Sequence, residues 1–160
     1  MKSIIRSSLK CALLGTSIIA AAANFGCEGR PTLFANPDPA LRHTSTEFAA
    51  DSARRFPYDQ AAPHGTETKC RAQAAYMLNR LEIVNFTGRD WNDVDVWVNQ
   101  EYVCHVPKME DRKLKEVHFP MLYNDRGEHF PMGTGKEIVR KVEVCRDGKF
   151  YDVVVHNADF

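Results

Sequence analysis

From residue 81 onward, apolar side chains recur at every second position. In VDVWV, Val94, Val96 and Val98 share one side, and Asp95 and Trp97 share the other. This is the period-two signature of a half-buried strand. The same alternation predicts strands over residues 81–86, 102–106 and 113–119, with Pro120 ending or edging the last. Residues 124–127, Asn-Asp-Arg-Gly, read as a turn between short extended pieces. IVRKVEVC and KFYDVVV flank Asp147-Gly148, and Asp-Gly between alternating runs is a strong hairpin signal because both central residues tolerate positive φ.

Register follows from the same pattern. If Asn99, Gln100 and Glu101 form the loop between residues 94–98 and 102–106, Val98 opposes Tyr102, Val96 opposes Cys104 and Val94 opposes Val106. A two-residue loop would set Glu101 against Val98, and a one-residue slip swaps faces. The longer loop puts Trp97, Val103 and His105 together on the outer face.

Before residue 81 the period differs. Cys70, Ala74, Met77, Leu78 and Leu81 fall at steps of three and four, which predicts an amphipathic helix over residues 66–80 with Gly65 and Thr66 at its start. Further upstream, residues 28–65 hold five of the eight prolines and scattered aromatics without a period. Such a segment reads as a spacer. The expected fold is mainly β: a small antiparallel β-sandwich of six or seven strands over residues 81–156, with one N-terminal helix packed on it. No βαβ alternation is present, which argues against a parallel nucleotide-binding sheet.

The first 26 residues change the picture. Lys2, Arg6 and Lys10 are their only charges, and an apolar run follows over residues 11–23. Basic flank, apolar stretch and small residues stand in the order of an export signal, and the run is too short for a bilayer span of roughly 20 residues. Two cleavage points are open. Ala21 and Ala23 place a cut before Asn24. Gly26-Cys27 resembles the end of a bacterial lipobox, whose cysteine takes a diacylglycerol thioether, although Asn24 and Phe25 stand where that family carries leucine and a small or apolar residue. The expected division is a signal peptide over 1–26 and a disordered Pro-rich tether over 27–65, with lipidation at Cys27; the alternative is a plain secreted β protein cleaved after Ala23.

Charge and cysteine count narrow the function classes. Removing Lys2, Arg6 and Lys10 from 21 basic residues leaves 18 against 21 acidic ones, a net of −3. With no basic surplus, nucleic acid is not an expected partner. A membrane would be held through the N-terminal lipid. Without Cys11 and Cys27, an odd set remains, Cys70, Cys104 and Cys145; with Cys27 free, four cysteines allow three pairings.

The segment LEIVNFTGRDWNDVDVWVN is similar in rhythm to small Ig-like accessory domains of cell-envelope proteins. With the cysteine-led leader and spacer, the chain resembles uncharacterised bacterial membrane lipoproteins. The resemblance implies a binding or scaffolding role with an envelope protein as partner, and no catalytic residue to carry over.

Candidate chemistry is sparse. Trp97, Val103 and His105 form the candidate partner surface. His105, His118 and His129 lie on or beside strands and are the residues an alternative metal-binding or hydrolytic reading would use; their spacing puts no two on one element face, so no metal and no cofactor is expected. Cys104 and His105, being adjacent in a strand, point to opposite faces and form no thiolate–imidazolium pair. Val142 and Val144 claim the inner face of the last hairpin and leave Cys145 outward with Glu143. GTGK, residues 133–136, lacks the leading glycine and the hydroxyl of a phosphate loop. Asn85-Phe86-Thr87 matches a glycosylation sequon.

Overall fold

The computed structural model describes residues 43–131 and 137–157. The expected signal peptide, Cys27, the first part of the expected tether and residues 133–136 lie outside those residues. Strands dominate: β1 His64–Ala75, β2 Arg80–Asn85, β3 Trp91–Val98, β4 Tyr102–Met109, β5 Leu114–His118, β6 Val142–Arg146 and β7 Lys149–Asn157, with one α-helix, α1, Ser45–Ala53. They form one seven-stranded sheet, nearly barrel-shaped, in the order β4-β3-β6-β7-β1-β2-β5. The mainly-β expectation holds. The division into two antiparallel sheets does not, because the strands form a single curled sheet and β1 pairs with β7 in parallel.

Where the pattern of alternation is clean, register follows it. Val98 opposes Tyr102, Val96 opposes Cys104 and Val94 opposes Val106. The loop between them carries positive φ at Asn99 and Gln100. Asp147 and Gly148 both have positive φ and close β6 onto β7, with Arg146 opposite Lys149, as a two-residue hairpin of this chirality requires.

The helix expected over residues 66–80 is strand β1 followed by a short 3-10 turn, Tyr76–Leu78. Cys70, Ala72 and Ala74 point into the core while Arg71 and Gln73 point out, and Met77 and Leu78, two residues of the supposed apolar face, are 86% and 55% exposed. Small residues at alternate places fit the crowded interior between β2 and β7. Pairing on both edges outweighs the modest helix preference of alanine and glutamine, since local propensity is a weak prior against tertiary context.

The helix lies instead inside the stretch read as tether. Thr44 caps α1: its side chain accepts from the Glu47 N–H while the Glu47 carboxylate accepts from the Thr44 N–H, a reciprocal pair written in the sequence as Thr-Ser-Thr-Glu. Phe48 anchors the helix in the core. The edge strands β4 and β5 leave a seam that α1 and the segment after β5 fill. Val103 and Tyr123 exchange two backbone hydrogen bonds, at 2.9 and 3.1 Å, and Ser52 Oγ donates to the Val103 carbonyl at 2.9 Å. The core holds the inward valines of β3, β4 and β6, Leu81 and Ile83 of β2, and Phe119 and Phe130.

Candidate functional site

The register of β4, β3, β6 and β7 sets a row of chemically distinct side chains on the outer surface. Asp95 lies between His105 of β4 and Cys145 of β6, and Trp97 lies between Val103 and Glu143. Trp97, Val103 and His105 therefore share a face, as the alternation predicts. They do not share exposure. Trp97 is 3% exposed and Val103 is fully buried; only His105 keeps contact with solvent. An open Trp97 surface is thus corrected, and the physical reason is a strap. Residues 54–63, expected to be tether, cross the outer face and bury a second apolar cluster of Trp97, Val103 and Phe150 under Phe56, Tyr58 and Ala62.

The strap is fixed by its side chains. The Phe56 ring meets Trp97 edge-on at 5.1 Å, and Tyr58 contacts Trp97 at 5.1 Å and Phe150 at 4.8 Å. Edge contacts of this kind add to the burial of the rings. At one end the Arg55 guanidinium donates to Asp95 and pairs with Asp51 at 3.0 Å. Burial alone would lower the Arg55 pKa, but Asp95 and Asp51 outweigh it and raise it. At the other end the Tyr58 hydroxyl lies 2.9 Å from both oxygens of Glu143 and accepts from Gln100. Glu143 is 1% exposed on an outward strand position. A buried carboxylate is costly unless paired; here Lys141 Nζ stands at 2.9 Å and His64 Nδ1 at 3.4 Å. Burial and the bond to Glu143 push the Tyr58 hydroxyl up to about 12.

Beside the strap, α1 and β4 bound an open cleft of about 360 Å³ lined by His43, Glu47, Phe48, Asp51, Arg54 and His105. His105 Nδ1 contacts Asp95 Oδ1 at 2.8 Å, which orients the ring. Burial would raise the Asp51 carboxyl, but its bonds and charge interactions with Arg54 and Arg55 hold it below the usual value. This arrangement offers an oriented imidazole and carboxylates to a ligand. It does not assemble a nucleophile with its base. Cys104 points into the core and its thiol is pushed up to about 12 by burial; the Cys145 thiol is raised by burial and then by Asp95, the opposite of activation.

The other candidates are dispersed. His118 ends β5 and His129 opposes Tyr123; among the described residues no group of three or more His, Cys, Asp or Glu side chains is placed to hold a metal ion. Cys70, Cys104 and Cys145 are free thiols. Asn85 of the sequon is fully buried, with its amide donating to the Arg89 carbonyl at 2.7 Å. Sequence reasoning missed Arg55, Tyr58, Asp95 and Glu143. Phe48, Phe56 and Tyr58 within a supposed spacer, and the capping box before them, were the available signals; nothing local marks Glu143 as buried. No family model, curated protein or solved structure matches this chain.

Proposed function

We propose that this protein is a non-enzymatic binding module of the cell envelope, carried on an N-terminal lipid at Cys27. Its partner is an envelope protein that engages the cleft between α1 and β4. The observation that carries the reading is the clamp on His105: Asp95 orients the ring, Arg55 in turn holds Asp95, and the ring borders an accessible cleft. Side chains fixed in this way meet a ligand with little further ordering cost. The leader supports export, and the acidic balance beyond it fits a lipid-borne attachment more than an electrostatic one.

Two measurements test the two halves separately. Mass spectrometry of the mature N-terminus is expected to show diacylglycerol on Cys27; an unmodified Asn24 start assigns the secreted alternative. Crosslinking in intact cells is expected to lose its partner with His105→Ala and to keep it with Leu114→Ser, which changes an exposed side chain on β5. Equal recovery from both variants rejects the cleft.

A further inference from the structure

The strap describes, in its own sequence, what the face beneath it accepts. We infer that the outer face formed by Asp95, Trp97, Glu143 and Phe150 is a recognition surface for a peptide carrying the order Arg-aromatic-Pro-Tyr, and that Arg55-Phe56-Pro57-Tyr58 of the same chain occupies it. The inference rests on the binding-module reading and concerns a surface next to the His105 cleft, which shares Arg55 and Asp95 with it.

Composition supports it first. An outward sheet face ordinarily carries solvated side chains, with apolar ones scattered singly. Here Trp97, Val103, Phe150 and the carboxylate of Glu143 are each at most 5% exposed, and residues 54–63 supply the aromatic cover over them. Aromatic anchors beside a few placed polar groups are the make-up of a recognition site. Side-chain readout supports it next. Arg55 pairs with Asp95, Phe56 sets its edge on Trp97, and Tyr58 lies against Trp97 and Phe150 with its hydroxyl on Glu143. Arg55, Phe56 and Tyr58 each find a matching group, as the anchoring residues of a bound peptide do. Asp95, which also contacts His105, takes the strap's Arg55 cation, while Glu143, already paired with Lys141, meets the strap through the Tyr58 hydroxyl.

The backbone supports displacement. Among the described residues, positions 56–61 make no backbone hydrogen bond to the sheet; the strap joins it only where the Phe150 N–H donates to the Pro63 carbonyl at 2.9 Å. A segment held by side chains alone opens more readily than a strand in a ladder. The end of the face is already open as a space of about 450 Å³ bounded by Phe56, Tyr58, Gln100, Glu101 and Arg126. A tethered occupant competes at an effective concentration on the order of mM, so the wild-type chain binds a free peptide weakly and a weakened strap unmasks the site.

The test uses the detergent-solubilised full chain and a fluorescent peptide with the sequence of residues 53–60, read by anisotropy. The Phe56→Ser/Tyr58→Ser variant is expected to bind at least tenfold more tightly than wild type. The milder Tyr58→Phe, which keeps the ring and loses the bond to Glu143, is expected to shift affinity the same way by several-fold. A peptide with Glu at the position of Arg55 is expected to lose the gain. Unchanged affinity in a folded Tyr58→Phe variant overturns the proposal. So does a dimer of the double variant that peptide fails to dissociate, which would assign the face to a second copy. The lipid state of Cys27 and the crosslinking result at His105 do not enter this measurement, so its failure is separate from theirs.

Discussion

A buried carboxylate on the outside of a sheet is the residue-scale feature that organises this protein's surface. Glu143 is held by Tyr58, Lys141 and His64. Glu143→Ala leaves the Tyr58 hydroxyl without its acceptor and is expected to cost about 1–3 kcal/mol in urea unfolding. The pH dependence has a defined sign. The Tyr58 pKa is raised to about 12 by burial and by Glu143, and that of Lys141 is also raised, because Glu143 and Asp152 outweigh its burial. Groups with raised values stabilise the folded state fully below their unfolded values and lose that contribution as pH rises through the folded ones. Alkaline titration is therefore expected to loosen the strap, seen as a change in tryptophan fluorescence that is smaller in Tyr58→Phe. Cys70 and Cys104 are pushed up to about 12, chiefly by burial. Both are expected to resist alkylation in the native protein and to react once it is denatured.

Elements depend on local chemistry where the local signal is strong. The Thr44–Glu47 capping box fixes the start of α1, a helix of only nine residues, too short to persist without caps and packing. Thr44→Ala is expected to cost about 0.5–2 kcal/mol, with the loss measured by thermal or urea unfolding. At the β6–β7 turn, Gly148 has φ +71° and no atom beyond its chain neighbours stands within 4 Å of an added Cβ. Gly148→Ala is therefore expected to cost about 1 kcal/mol from backbone conformation alone, without a clash. β1 is the opposite case. Its alternation of small and polar residues allows a helical reading, and only its neighbours select the strand.

At the scale of the molecule, α1 and the strap turn a curled sheet with a seam into a body with two apolar clusters. α1 fills the seam between β4 and the turn after β5; the strap roofs the outer face of β3, β6 and β7. Because Trp97 belongs to the second cluster, Trp97→Ala is expected to destabilise the chain by about 3–5 kcal/mol. A solvent-facing tryptophan would give a change within roughly 0.5 kcal/mol. Chemical denaturation of the full chain distinguishes these outcomes.

The sequence by itself determined the β class, the β3–β4 register, the Asp147-Gly148 hairpin and the outward direction of Trp97, His105, Glu143 and Cys145. Each follows from side-chain alternation or from turn chemistry, which act within a few residues. Only the tertiary structure decided that residues 66–75 form a strand, that β1 joins β7 in parallel and that residues 54–63 lie over Trp97. Those outcomes depend on partners up to about a hundred residues away, and alternation reports which side a residue faces, not what covers that side.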